Sequence, residues 1–521
     1  MGWSAEFLEA LKDRIHTPQF YLEVSKEAGN PGATGAVFHS HHGVYYKEGE
    51  HTISRDSVRV SSGSISVLSW SQSFGGLVVG IHGGNDEATT ILQSVVRGSL
   101  VRLYCGFEGW RSANYQPIFT GQVRQLRGNP QRGYSLECWD IVRALGSRWT
   151  TTSNQAALFF NLNQDVVLTT TVKTGTSYTA ASGGPLDVTS ASAFEREDSG
   201  NYLLRATPSG GSAFYIRATG LTGTQFTGLT GGVYGTTDED LAAGDKIEHM
   251  ALLQDGPIDI VKKLLLSTGT TGSAHSTYDK YPAGWGFAVP RDWVDLADID
   301  DIMSRYNVDT TWNLDVVVTE QQTNPINWLQ GVIGKCGFWL VHRQGEISMR
   351  PAQNPLLSTI PGDFHITDSE IESVMDWQAW DGSRSLDYVS LKVSDMLSYS
   401  VTSSEAITTL PSSQTYEVTL DDLWDTTGHQ NRDGVADVDN RTEIWAHRIP
   451  ERVSLTMCGL RYAGLCEGDI GRITSGVVPS RDSAGTASRP CMVISCAPDW
   501  LGGVVRLDLS IPAYWAGEFP T

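Results

Sequence analysis

Short runs in which apolar and polar residues alternate, separated by clusters of Gly, Asn, Asp, Ser and Pro, fill most of the chain and predict strands joined by tight turns. The sharpest case is residues 117–149, PIFTGQVRQLRGNPQRGYSLECWDIVRALGSRW. Ile118, Phe119 and Val123 mark an apolar strand and residues 127–133 a polar turn. Tyr134, Leu136 and Cys138 then alternate with Ser135, Glu137 and Trp139. The pattern predicts a hairpin whose second strand runs into a short helix over 140–145, where Ile141, Val142 and Leu145 recur at helical spacing. Upstream, strands are predicted at 19–24, 36–38, 43–46, 64–71, 77–81 and 100–105, enough with the hairpin for a small barrel or sandwich. A helix beginning near Ser4 precedes them, with Phe7, Leu8, Leu11 and Ile15 on one face and Lys12 and Arg14 near its end.

Helical periodicity returns at 256–266. Pro257 suits the first helical position, Asp259 the first turn, and Ile258, Val261, Leu264 and Leu265 form a stripe to be buried. A second helix is capped by Asn324, carries Pro325 first, buries Ile326, Leu329, Val332 and Ile333, and stops at Gly337. It feeds a hairpin over 338–350 that turns at Gln344-Gly345. Between these helices, 285–290 reads as a strand and 294–301 as an acidic turn or helix. The last third predicts strands at 388–393, 453–460, 470–473, 492–496 and 504–511.

From residue 150 to about 252 the composition shifts to Thr, Ser, Gly and Ala, as a β-rich insert or a flexible linker would. Alternation at 202–206 and 213–218 favours the insert. Residues 220–237 and the Ala243-Gly-Asp turn supply glycines for positive φ, without P-loop spacing.

Length and composition bound this picture. A chain of 521 residues exceeds one compact core and implies roughly three or four domains. The 54 Gly and 20 Pro against 8 Met favour many turns and few helices. A net charge of −21 argues against sequence-specific nucleic-acid binding, which relies on neutralising phosphates; taken alone it reads first as ordinary solubility charge, though it would also suit a wall past which DNA must slide. The N-terminal residues have no continuous apolar core and no run is of transmembrane length, so neither a signal peptide nor a membrane segment is expected.

Candidate chemistry is sparse. No Gly-x-Ser-x-Gly, His-Glu-x-x-His, Walker or dinucleotide fingerprint occurs, and no cofactor is expected. Paired glycosidase carboxylates carry no signature and could lie among the 59 Asp and Glu. Asn431, Asp433, Asp437 and Asp439 are hard oxygen donors around Gly434, a weak calcium-loop candidate. His429 stands where the first Asp of an EF-hand belongs and Asn440 where its Glu belongs, so a surface turn is the favoured reading. His39, His41, His42 and His51 cluster in sequence and read as an exposed loop, because adjacent His41 and His42 would point to opposite faces of a strand. Seven Cys without Cys-x-x-Cys form neither a disulfide scaffold nor a ribbon-type zinc site. Cys458, Cys466, Cys491 and Cys496 lie close in sequence, and whether they converge is open. Most of the 16 Trp, including Trp139, Trp328 and Trp339, have apolar neighbours and read as core or interface residues.

The hairpin's Pro-x-Phe-x-Gly-x-Val strand, its acidic strand end and its short Leu/Arg helix resemble the barrel hairpin of tailed-phage tail-hub proteins. The Leu-Thr-Gly, Tyr-Gly-Thr and Ala-Gly-Asp elements of 221–245 are similar to a turn signature of phage tail proteins. The order of IVKKLLLSTG, WLVHRQGEISMRP and ITDSEIES is similar to the middle of the hub family, and residues 465–473 to the entry of its second barrel. The resemblance implies a mainly β, multidomain fold with α/β parts. Its expected segments are an N-terminal helix (1–16), a first tail-tube-like barrel (17–149), a β-rich insert (150–252), an α/β domain with a helix–hairpin (253–380) and a second barrel (381–521). It further implies a non-enzymatic virion protein at the tail tip or baseplate. That protein would be a homotrimer whose six barrels surround a DNA channel, with a tail tube or distal tail protein, a spike- or fibre-bearing protein and the tape-measure protein as partners. A carbohydrate-binding or carbohydrate-degrading tail protein is the alternative.

Overall fold

The computed structural model describes residues 3–12, 17–28, 36–39, 51–61, 63–66, 71–81, 97–129, 133–145, 169–180, 183–192, 194, 201–267, 286–287, 289–306, 314–318, 325–351, 363–378, 388–394, 397–402, 415–419, 423–424, 451–480 and 488–511. Helix α1 (Ala5–Ala10) is capped by the Ser4 hydroxyl, which accepts from the Phe7 N–H. Phe7 and Leu11 are buried as the pattern predicts. Leu8 departs from it at 40% exposure, because a helix this short buries only a narrow stripe. Ile15 and Arg14 lie outside the described residues.

Nine strands come next: β1 (Pro18–Ala28), β2 (Ala36–His39), β3 (His51–Ser61), β4 (Ser64–Ser66), β5 (Ser71–Ser73), β6 (Gly76–Ile81), β7 (Ser99–Phe107), β8 (Gln116–Asn129) and β9 (Gly133–Asp140). Seven of them close a barrel in the order β1-β2-β3-β6-β9-β8-β7, sealed where β1 pairs with β7. The predicted hairpin is β8–β9, and β8 runs further than predicted, through Arg127, Gly128 and Asn129. Residues 64–71 do not form one strand; β4 and β5 pair as a separate small hairpin. β3 has no counterpart among the predicted strands, because HTISRDSVRVS is polar and its pairing with β6, not apolar alternation, makes it a strand. The histidine loop is corrected accordingly: His39 ends β2 and His51 begins β3, with Phe38 opposite His51. The predicted strand at 43–46, with His41 and His42, lies outside the described residues. Asp140 then caps helix α2 (Ile141–Ala144), accepting from the Arg143 N–H at 2.8 Å.

The insert is a sheet. β10 (Thr169–Thr171), β11 (Leu186–Asp187), β12 (Tyr202–Thr207), β13 (Phe214–Thr222), β14 (Gln225–Val233), β15 (Lys246–Asp255) and β16 (Leu314–Val318) build it around a core of its own that includes Leu204, Ile216 and Phe226. Much of 220–237, expected as turns, is strand, with Gly223 (φ 63°) making the tight β13–β14 reversal. Fully buried Asp315 of β16 accepts from the Tyr234 hydroxyl at 2.6 Å and the Gln254 amide at 2.6 Å, and faces Arg217 at 3.6 Å. The insert is therefore fixed to the α/β part of the chain by β15 and by a buried polar knot.

Helices α3 (Pro257–Leu266), α4 (Leu296–Tyr306) and α5 (Pro325–Lys335) pack with the hairpin of β17 (Phe338–Arg343) and β18 (Glu346–Pro351) around one apolar cluster. The hairpin turns through Gln344 (φ 51°) and Gly345 (φ 81°), the two positive φ values of a type I′ turn. Of the strand predicted at 285–290, the described residues 286, 287, 289 and 290 are not in a strand. The N–H groups of Phe287 and Val289 instead satisfy the carbonyls of Leu264 and Leu265 at the end of α3. The acidic run at 294–301 resolves as α4, longer than its predicted span.

Strands β19 (Phe364–Thr367), β20 (Ile371–Gln378), β21 (Tyr388–Ser394), β22 (Leu397–Thr402), β23 (Thr415–Thr419), β24 (Leu423–Trp424), β25 (Glu451–Cys458), β26 (Ile470–Thr474), β27 (Arg489–Asp499) and β28 (Val504–Ile511) complete the chain. Six form a curled half-barrel in the order β19-β26-β27-β28-β25-β20. Its two end strands are consecutive in sequence, linked by the turn Asp368–Glu370. β21, β22 and β23 form a sheet of their own, and β24 pairs with β16. The protein is mainly β and multidomain.

The barrel and the half-barrel are not two beads. Leu22, Leu103, Phe119 and Leu136 of the barrel share one continuous core with Val453, Leu455, Val493, Leu507 and Leu509, and helix α1 adds Phe7 to it. Phe7 stacks on Phe107 at 5.5 Å and meets Trp3 edge-on at 5.0 Å, while Trp3 meets Trp500 of the half-barrel at 6.0 Å. Phe7→Ala is expected to cost about 3–5 kcal/mol and lower the melting temperature of both units together, read by calorimetry.

Candidate functional site at the junction of barrel and half-barrel

The hairpin β17–β18 stands between α4 and the half-barrel and carries the charges that join them. Arg350, with 2% of its side chain exposed, donates from Nε to Asp469 at 2.5 Å and from Nη1 to Asp298 of α4 at 2.7 Å. The Asp298 carboxylate also accepts from Arg343 and from the Ser348 hydroxyl at 2.5 Å. Burial alone would raise the Asp298 pKa, but the Arg350 and Arg343 charges outweigh it and hold it below the ordinary carboxylate range. Asp469 in turn accepts from the Cys466 N–H at 2.8 Å, which fixes the turn of residues 466–469. Local sequence explains this turn: Gly468 (φ 89°) lets the chain reverse before β26.

That turn presents Glu467 toward the barrel. Trp3, Asp140, His342, Gln344, Glu467 and Trp500 line a cavity of about 50 Å³ between the two units. Both acids are buried and titrate high. Burial pushes Asp140 up to about 7, against N–H donation from Arg143, Gly75 and Val142. Burial pushes Glu467 up to about 8, helped by the Asp140 and Asp469 charges and opposed by Arg350. At neutral pH Glu467 is therefore largely protonated and Asp140 about half so, burial making the charged form of each costly. His342 is pushed down to about 4 by burial, and its Nε2 accepts from the Thr120 N–H at 3.2 Å, so the ring is neutral with its proton on Nδ1. Gly63 is required here: a Cβ would stand 2.4 Å from Glu467 Oε1 and 2.4 Å from the Ser73 carbonyl.

The arrangement can store protons; it has no room for a substrate. Ligand pockets span about 300–1,000 Å³, and this one is of the size that holds water. The buried Trp500 indole N–H, which has no partner among the described residues, is a further polar group on its wall.

The sequence candidates fare differently. Asn431, Asp433, Asp437 and Asp439 lie outside the described residues. Cys458, Cys466, Cys491 and Cys496 do not converge: Cys466 packs with Trp339 and Met492, while Cys491 and Cys496 sit in the shared core. Burial pushes the Cys491 thiol up to about 12, the opposite of what a metal ligand needs. Among the described residues no group of His, Cys, Asp and Glu is placed to hold a metal ion, and no helix is long and apolar enough to cross a membrane. Asp140 and Glu467 escaped sequence reasoning. The cap role of Asp140 is legible in Trp-Asp-Ile-Val, but nothing local ties it to a turn at the other end of the chain.

No family model matches the chain, and no curated protein matches it. Among solved structures it is similar to the 43 kDa tail protein of prophage MuSo2 from Shewanella oneidensis, at 8% identity over 96% of this chain and 100% of that one, with a TM-score of 0.36. It is also similar to a chain of the native gene transfer agent virion, at 17% identity, covering 47% and 84%, with a TM-score of 0.20. A third is prophage tail protein gp18 from Listeria monocytogenes EGD-e, at 10% identity, covering 62% and 90%, with a TM-score of 0.25. The structural neighbours are thus phage tail and virion proteins. Scores this low lie below those of a shared fold, so the functional reading rests on this chain's own residues.

Two outcomes are expected at the junction. Asp140 and Glu467 titrate higher folded than unfolded, so the stability they contribute is full below about pH 4, falls as pH rises toward about 8, and is flat above. Glu467→Gln should flatten part of that fall in melting temperature measured from pH 4 to 9; an unchanged slope would contradict the assignment. Arg350→Met takes the guanidinium from buried Asp469 and leaves Asp298 with Arg343 alone, and should cost about 3–5 kcal/mol in denaturant unfolding.

Proposed function

We propose that this protein is a structural component of a phage tail, the hub of the tail tip or baseplate, closing as a trimer around a DNA channel. The observation that carries the reading is the welded pair of small β-units, one a closed barrel and the other a half-barrel, sharing a single core. Two such units per chain, held at a fixed angle, are what a three-fold ring needs to present six similar faces to a tube above it. The sequence features of 117–149, 339–351 and 366–373 resemble hub proteins at the corresponding places, and those of 221–245 resemble phage tail proteins. The charge of −21 supports a wall that DNA passes without sticking. In this reading the partners are a tail tube or distal tail protein, a spike- or fibre-bearing protein and the tape-measure protein, the site is the virion, and no residue breaks bonds.

The segments divide as a helix (1–16), first barrel (17–149), insert (150–252), α/β unit (253–380) and second β-unit (381–521), the last drawing β19 and β20 from before residue 380. Light scattering with negative-stain imaging tests the proposal. A three-fold ring with a central channel is expected. A monomer that binds or depolymerises a soluble polysaccharide would overturn it in favour of a carbohydrate-active tail protein.

A further inference from the structure

Trp139 points outward from the barrel wall, alternating with buried Cys138 and Asp140, and three guanidinium groups surround it. Arg143 of α2 lies 4.9 Å from the ring centroid, Arg97 5.6 Å and Arg124 5.8 Å. The backbone sets this convergence: the Gly98 N–H donates to the Val123 carbonyl at 2.9 Å, bringing the neighbours Arg97 and Arg124 together, and the Asp140 cap aims α2. All three arginines are exposed, and none of them forms an ion pair among the described residues. Arg127 on the same face is held at 3.7 Å from Glu137, the acid two residues before Trp139 on β9. The Trp139 indole N–H has no partner among the described residues either. Like charges gathered on one ring repel one another, and in a chain of net charge −21 such a cluster is conspicuous.

The same chain carries a complementary surface. β20 is an end strand of the half-barrel, paired with β25 on one side alone among the described residues. Ile371, Val374 and Trp377 turn toward the core, while Glu372, Met375 and Asp376 face out, Met375 at 62% exposure. Among the described residues, neither Glu372 nor Asp376 forms an ion pair with an arginine or lysine of its own chain. An unpaired edge bearing an exposed Met invites a partner, and a sheet edge left open is a liability unless covered.

We propose that the Trp139 arginine cluster of one copy docks the acidic β20 edge of a second copy, a head-to-tail contact between different faces of the same chain. Such heterologous contacts close into rings when the rotation permits, so the inference rests on the ring proposed for this protein and names its joint. DNA phosphate is the weaker occupant, because the guanidinium groups already cover the indole on which a base would stack and the rest of the surface repels a polyanion.

Charge reversal tests it on the full-length protein. R97E/R124E/R143E and, separately, E372R/D376R should each weaken association about tenfold or more by light scattering, and joining all five changes in one chain should restore it. Circular dichroism checks that each variant is folded. If the wild type is a trimer and either reversal leaves its mass unchanged, the joint is wrong while the ring stands. If the wild type is a monomer, the ring reading fails and the joint is read by titrating a synthetic peptide of residues 371–378. Salt-sensitive binding that R97E/R124E/R143E abolishes supports the contact. No binding, or displacement of the peptide by a short DNA duplex, overturns it.

Discussion

A guanidinium nearly cut off from water fixes the geometry of this molecule. Arg350 has a carboxylate from α4 on one side and one from the half-barrel turn on the other; Asp298 is shared with Arg343, and the charge of Arg350 ties it to Asp469. The hairpin that bears Arg350 also places His342 against the barrel through Thr120. One short strand pair therefore touches the helical unit, the barrel and the half-barrel at once. Removing its charge would loosen three relationships among parts that lie far apart in the sequence.

Around that fixed point the apolar core does the bulk of the holding, and the polar junction supplies direction. Hydrophobic surfaces slide over one another at little cost; a paired arginine and a capped turn do not. The acid pair at the cavity has a different character. Asp140 and Glu467 are held by burial, not by counter-charges, so the junction is tightest when both carry protons.

Local elements were largely legible in the sequence. Pro257 and Asp259 at one helix start, Gln344-Gly345 at a hairpin turn, and the alternation of Tyr134, Leu136 and Cys138 each carry a short-range physical cause that a few neighbouring residues express. β3 was not legible, since HTISRDSVRVS owes its strand to β6 and has little apolar alternation of its own. The junction was not legible for the same reason at longer range. Glu467 reads as a turn residue and Asp140 as a cap, and only the folded chain puts them on one cavity. The cluster at Trp139 lay between these cases. Its tryptophan reads as core or interface from the sequence, and its arginines come from three separate stretches.

The insert's separate core has a consequence for how such a protein can diversify. Leu204, Ile216 and Phe226 pack among themselves, and the sheet is tied to the remainder by β15 and the knot at Asp315. Loops on the far side of that sheet can lengthen, shorten or be exchanged without disturbing the barrel or the half-barrel. A change in that sheet therefore acts first on its own core, so the insert can vary in sequence while the packing shared by the barrel and the half-barrel stays as it is.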